Sequence, residues 1–444
     1  MPFKAAVPST DNPSAVVVGA GITGLSAALL LTRRGIPVTV HEAEQQAGGL
    51  LAPINHEGLS LDRGSHRVHP EAHPLLLELT EEAQWQWRKR AGTLVLKGRH
   101  LDYPLQPLRF LWGLGPRTVL QMGAGWLTRP TAFRRTLKWE ADRQDLNEDK
   151  GFERFVIERV GRAAYQQFYE PYARKVWGID PKELSQSVAK QRVSTSNPAR
   201  SVLKKSEGRF LYPKFGMAAL IQLLRRKLEQ AGVEIVMGSS RKAALAHGGP
   251  VFHTGHLSDL APEANLHHRG LYLLHVTVPA DCLDDTDTWY TPERKFWFGR
   301  VSQPARFSPA FEHPKNRVLC LEIPEGQWGR KMDFTGRIET VMTQLREAKI
   351  TARTVEALNV IQTFLPRVYP MYTRGWIHSQ RQALRDVAKA GNIYCCGRQG
   401  LFLHCNMDQA VATADAAVEH WLKGGTPQEW AERCQVFADF RVRD

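Results

Sequence analysis

Apolar residues fall along this chain in two kinds of run. Short, uninterrupted, β-branched runs read as strands buried on both faces. Val16 to Val18 is one, Val38-Thr-Val-His41 a second, and Thr93 to Leu96 and Val233 to Met237 are of the same kind. Longer segments repeat apolar positions three and four residues apart and read as helices. These are Leu25 to Leu31, Ala218 to Ala231 closed by Gly232, Gln409 to Leu422, and Phe152 to Lys175. In the last, Phe152, Phe155, Val156, Val160, Phe168 and Tyr169 form the apolar stripe. Ala243 to Leu274 alternates short strands with loops, and Trp289-Tyr290 and Lys295 to Val301 open a strand-rich stretch. Gln344 to Leu358 reads as helix, then strand. Short strands alternating with helices predict an α/β fold with a parallel sheet.

The first strand runs into Gly19-Ala-Gly21-Ile-Thr-Gly24, and a helix follows. Gly19 permits the tight turn, Gly21 lets the backbone approach a pyrophosphate, and Gly24 lets the helix pack closely on the strand. The helix N-terminus then favours a diphosphate through its free N–H groups and dipole. The second strand ends in Glu42, about twenty residues past the loop, where an acid can accept both ribose hydroxyls of an adenosine. A dinucleotide is therefore expected here.

Composition changes the picture in two ways. The net charge of +14 is high for 444 residues. The basic residues are dispersed rather than run together, which favours an acidic small molecule or an anionic membrane surface over specific nucleic acid. Phe110 to Phe133 mixes apolar residues and glycines with Arg117 and Arg129, and Arg134 and Arg135 follow. It could lie on a membrane surface, but a helical lobe with a solvated basic face is the preferred reading. The six cysteines show no C-x-x-C pair, and the histidines show no zinc-ligand spacing, so no metal is expected and a reducing, cytoplasmic setting is. Cys395 and Cys396 read as inert thiols on a buried strand. Met1 to Ser14 lacks the basic and apolar regions of a signal peptide, and no apolar run reaches spanning length.

The residues after Glu42 include Gly48-Gly49-Leu50 and then Asp62-Arg63-Gly64-Ser65-His66. Together with the loop, they resemble the flavin-binding signature of the amine oxidase and protoporphyrinogen oxidase superfamily. That family often places Arg just before its Gly-Gly pair; Gln45 and Gln46 stand there in this chain, so Arg63 is the candidate replacement. Asn392 to Ala410 contains Gly397-Arg398, Gly400, Phe402 and Asn406-Met407-Asp408. That run resembles the last flavin motif of UDP-galactopyranose mutases and their relatives. So do Tyr103-Pro104-Leu105, Tyr172 to Leu184 with its Trp177-Gly178, and Phe364 to Tyr372 with its Tyr369-Pro370.

The resemblance implies non-covalent FAD in a discontinuous Rossmann-like domain made of residues 1–75, 206–245 and 385–444. A mixed β-sheet and helical substrate domain would comprise 76–205 and 246–384. The first loop would contribute Gly19, Gly21, Ile22, Thr23 and Gly24, with Glu42 on the ribose. Gly48, Gly49 and Leu50 would follow, then Arg63, Gly64 and Ser65, with Val236 on a strand beside the adenosine. Gly397, Arg398, Asn406, Met407 and Asp408 would complete the cofactor set, the last helix aiming its dipole at the flavin N1 edge. His66, Tyr369, Tyr372, Phe402 and His404 are the catalytic candidates. Arg174, Arg192, Arg300 and Arg367 could hold a substrate diphosphate. The implied function is FAD-dependent oxidation or desaturation of a small, anionic or amphipathic metabolite. The alternatives are a non-redox mutase acting on a nucleotide sugar, and a flavin-bound partner protein without turnover.

Overall fold

In the computed structural model, the described residues are 14–103, 120, 121, 123–125, 149–192, 208–240, 244–246, 248–352, 354–440 and 442. Several expectations fall outside them: those on the first thirteen residues, on Pro104-Leu105, on Arg117, Arg129, Arg134 and Arg135, and on nearly all of Phe110 to Phe133. The chain divides into two compact units, Met1–Gln86 with Leu211–His267 and Ile377–Asp444, and Trp87–Phe210 with His268–Trp376.

The first unit is built on a five-stranded sheet among the described residues. Its order is Ile393–Cys395, Val251–His253, Ala15–Val18, Val38–His41, Glu234–Val236. Every pairing is parallel. Ala15–Val18 sits at the centre and is buried along its whole length, as its valines require. Helix Ile22–Arg33 follows it, with Ile22 to Leu31 buried. From the central strand the chain passes first to Val38–His41 on one side; Val251–His253 later joins on the other. The strand order therefore reverses at the carboxyl end of Ala15–Val18, the point where open α/β sheets bind ligands. That point is Gly19.

Strand Val251–His253 corrects the expected boundary at residue 245. Residues 246–267 pack in the first unit, as do 76–86 and 377–384. The strand was hard to read because it is three residues long and buried throughout, so it has no periodicity.

The second unit holds a seven-stranded sheet of order Asn359–Pro370, His268–Pro279, Asn316–Pro324, Arg300–Ser302, Thr288–Tyr290, Gly92–Leu96, Arg99–Tyr103. All its pairings are antiparallel except that between Thr288–Tyr290 and Gly92–Leu96. Leu274, Val276 and Val278 pack with Leu319, Leu321, Ile323 and the helix residues Val341 and Leu345 to make its core. The long helix expected from Phe152 to Lys175 is broken. Helix Phe152–Val160 ends at Gly161, whose φ is +85°, a left-handed conformation that favours glycine. A π-helical turn, Tyr165–Tyr169, leads into helix Glu170–Trp177. Gly178, φ +67°, closes it and donates to the Arg174 carbonyl. The reading of Gln344 to Leu358 also needs correction. Helix Ile338–Glu347 is followed by a turn with Lys349 left-handed, and the strand starts only at Asn359. Among the described residues, no helix is long and apolar enough to cross a membrane.

Candidate functional site

The glycine loop has the geometry its spacing implies. Gly19 has φ +103°, and a Cβ there would strike Thr254 Oγ1. A Cβ on Gly24 would land on the Gly19 carbonyl oxygen, so the helix can approach the strand only because Gly24 has none. Gly21 caps helix Ile22–Arg33 and pairs in parallel with Gly48. Gly48, φ +129°, donates its N–H to the Ala20 carbonyl at 2.9 Å. Ile22, Thr23 and Gly24 form the first helical turn, whose N–H groups have no acceptor within the helix. No acidic side chain competes for them in that turn.

Glu42 is buried beside this turn. One carboxylate oxygen accepts the Ala20 N–H at 2.6 Å, and the other accepts the Glu44 N–H at 3.0 Å. Its own N–H donates to the Val236 carbonyl at 2.9 Å, across the Val38–His41 and Glu234–Val236 pairing. Each carboxylate oxygen keeps a further lone pair for a hydroxyl. Arg63 Nη1 donates to the Gly49 carbonyl at 3.0 Å, which ties the second loop to the Gly48-Gly49 loop with its Leu50. Arg63 Nε is buried with no partner among the described residues, a donor left for an anionic or carbonyl oxygen. His66 Nε2 lies 3.0 Å from the Arg63 carbonyl. Between them, Gly64 and Ser65 make the turn, with Gly64 at φ +91°.

Asp62 was not among the candidates, although it opens this turn. Its carboxylate accepts the Tyr212 hydroxyl, the Met217 N–H at 2.9 Å and the Ala218 N–H at 3.4 Å. It thus caps helix Met217–Gln230 from a distant segment. Burial pushes its pKa up to about 6, against the pull of those three donors. The signal available in the sequence was an acid directly before Arg63-Gly64; its partners were not.

At the last motif, a Cβ on Gly397 (φ +79°) would stand 2.7 Å from Thr23, and one on Gly400 2.5 Å from the His253 carbonyl. This strand end and the first helical turn are therefore packed backbone to side chain. Arg398 Nη1 donates to the Cys405 carbonyl at 3.0 Å, ordering the loop that carries Phe402 and His404. Both are buried, and Phe402 has φ +51°. A left-handed bulky residue is costly backbone, of the kind that clusters at functional sites. Asn406 and Gln409 form a capping box on helix Met407–Leu422. Asp408 accepts the His73 N–H at 2.8 Å, so it ties the last helix to Pro74–Leu79. Burial pushes Cys395 up to about 12 and Cys396 further still; both are protonated at neutral pH, in keeping with inert thiols.

Of the catalytic candidates, His66, Phe402 and His404 lie in the first unit, and Tyr369 and Tyr372 in the second. Tyr372 is fully buried and stacked on Trp376 at 3.6 Å between centroids. Tyr369 is half-buried, edge-on to Trp177 at 6.2 Å. Arg300 donates twice to Glu322, at 2.8 and 2.6 Å. Arg174 is held by Glu170 and Asp180, each at 3.1 Å. Neither arginine therefore presents an uncompensated charge. The second unit also has a partly open cavity of about 260 Å³ lined in part by Lys175, Trp297 and Trp328. The sequence reading did not single out these three residues.

The family model described as flavin containing amine oxidoreductase matches residues 22–242. Protoporphyrinogen oxidase 2, chloroplastic/mitochondrial, of Arabidopsis thaliana is 26% identical over 186 residues, 40% of this chain and 35% of that protein. dTDP-fucopyranose mutase of Escherichia coli is 25% identical over 176 residues, 40% of this chain and 45% of that protein. The chain thus spans less than half the length of these two curated relatives. The crystal structure of reduced UDP-galactopyranose mutase shares the fold at a TM-score of 0.79 and 19% identity, covering 97% of this chain and 100% of that one. Residues 22–242 thus resemble flavin containing amine oxidoreductases, and the chain has the fold of UDP-galactopyranose mutase.

Proposed function

We propose that this flavoprotein is an oxidoreductase that removes a hydride from a small, anionic or amphipathic metabolite. The observation that carries the reading is the cradle at the reversal of the parallel sheet, with the flavin family match running through it. The residues fit FAD. Gly24 and Gly397 leave no room for a Cβ, Glu42 is pinned beside the first helical turn, and Arg63 Nε is a buried donor without a partner among the described residues. The N–H groups of Ile22 to Gly24 would hold the diphosphate, and Glu42 the ribose hydroxyls. When bound, FAD supplies the two-electron chemistry by accepting a hydride from a C–H or N–H bond. The chain supplies position and electrostatics. The amino end of helix Met407–Leu422 favours negative charge placed before it. Phe402, His404 and His66 would fix the ring's surroundings and exclude water. Localisation in the cytoplasm, with the basic surface recruiting an anionic substrate, completes the proposal.

A mutase acting on a nucleotide sugar is the second reading. It is supported by the sequence match to dTDP-fucopyranose mutase and by Trp177 with its neighbour Tyr369. Anaerobic absorbance spectra of the purified protein against a metabolite panel separate the two. An oxidoreductase bleaches its flavin with substrate alone. A mutase leaves the oxidised spectrum unchanged and turns over a nucleotide sugar only after dithionite.

A further inference from the structure

The second unit contains a cavity of about 260 Å³ lined by Lys175, Arg174, Asp180 and Arg294 together with Phe296, Trp297 and Trp328. Its walls are of two kinds. Trp297 and Trp328 stand edge to face, 5.3 Å between ring centroids, and Phe296 is buried beside them. That side suits a flat apolar body. The other side is cationic. Asp180 is its one carboxylate, and it is spent on Arg174. Lys175 Nζ donates to the Thr291 carbonyl at 2.7 Å and to the Glu293 carbonyl at 2.9 Å. An ammonium has three donors, so one remains. Helix Glu170–Trp177 ends at this cavity, and its carbonyl end would repel an anion if left bare. Here Gly178 N–H covers the Arg174 carbonyl, and Arg269 covers the Trp177 carbonyl.

We propose that this cavity is a ligand site of its own, taking a small monoanion carried on a flat apolar body, an arene carboxylate in chemical class. The volume lies just below the roughly 300–1,000 Å³ of drug-sized pockets, which fits one or two fused rings. The flat body packs against the joined Trp297 and Trp328 rings, and the carboxylate meets the remaining Lys175 donor with Arg294 at the rim. Burial pulls the Lys175 pKa down to about 7, opposed by Glu293. An anion in the cavity stabilises the ammonium, so binding weakens as the pH rises through neutrality. The other charged groups around the amine are Arg174, Asp180 and Arg294. The proposal is independent of the flavin reading.

The test is isothermal titration of the FAD-loaded protein with 2-naphthoate, with neutral 2-naphthalenemethanol and acetate standing for the two halves of the ligand. The expected result is one saturable naphthoate site. Both halves should bind about tenfold more weakly or worse, since each lacks one wall's contribution. Naphthoate affinity should fall by a similar factor in Lys175→Met and in Trp328→Ala, and between about pH 6 and about pH 8. Arg294→Ala, at an exposed position, keeps the test open if Lys175→Met does not fold. The flavin absorbance serves as the folding control. Three results would each overturn the proposal: heats that never saturate, equal affinity for acid and alcohol, or naphthoate binding unchanged in both Trp328→Ala and Arg294→Ala.

Discussion

Replacing Asp62 with asparagine should abolish a pH dependence of stability that this one carboxyl imposes. The carboxylate is buried under three donors, the Tyr212 hydroxyl and the Met217 and Ala218 N–H groups, and its pKa rises from 3.8 to about 6. The sign follows from proton counting. The folded carboxyl holds its proton more tightly than the unfolded one, so between these two values the folded state carries more bound protons. Stability therefore falls as the pH rises from 3.8 through about 6, then levels off. The shift is 6 − 3.8 = 2.2 units, and at ~1.36 kcal/mol per unit the loss is about 3 kcal/mol. Asparagine keeps a carbonyl oxygen for the Met217 N–H but carries no charge to desolvate. The assay is denaturant unfolding of wild type and variant at about pH 4, 5, 6 and 7. Taking the difference between them cancels the other titrating groups. The variant should gain about 3 kcal/mol on wild type across that range. A difference that does not change with pH would mean that Asp62 is not buried as a carboxyl under those donors, and the capping assignment would fall.

Three further outcomes follow from the cradle and the surface charge. If Glu42 holds the ribose, Glu42→Ala removes two charge-assisted hydrogen bonds, roughly 3 kcal/mol at the low end, so its FAD dissociation constant should rise about a hundredfold. Exposed Glu44→Ala should leave it unchanged, and equal constants for the pair would refute the ribose assignment. Gly24→Ala drives a Cβ into the Gly19 carbonyl and should cost about 1–3 kcal/mol with loss of flavin. Gly248→Ala, where a Cβ meets nothing within 4 Å, is its control, and flavin retained in both would count against the close approach. If the net charge of +14 recruits an anionic substrate, its Michaelis constant should rise with ionic strength; a flat response would leave the charge without that role.

What the sequence disclosed was what local rules encode. Val16 to Val18, Gly24 and Glu42 lie in one short stretch whose local fit, Gly24 against the Gly19 carbonyl and Glu42 on the Ala20 N–H, needs no distant partner. Gly178 likewise closes its helix by its own left-handed conformation. Features that depend on distant segments stayed hidden. Asp62 is defined by Tyr212, 150 residues away. Lys175 matters because the Thr291 and Glu293 carbonyls reach it. Strand Val251–His253 is too short for a period. Strand Asn359–Pro370 is half-buried along most of its length, so no apolar alternation marked its start. Gly161 was visible, but a glycine within a helical pattern costs only about 1 kcal/mol, and nothing nearby revealed that its φ would be positive.

The most direct test of the central claim, that the first unit holds FAD without a covalent bond, is acid precipitation of the purified yellow protein with quantitation of the released flavin. The expected result is FAD in the supernatant at about one equivalent per chain, with a colourless pellet. Colour retained in the pellet would contradict non-covalent binding. A supernatant carrying NAD and no flavin would contradict the reading of the cradle itself.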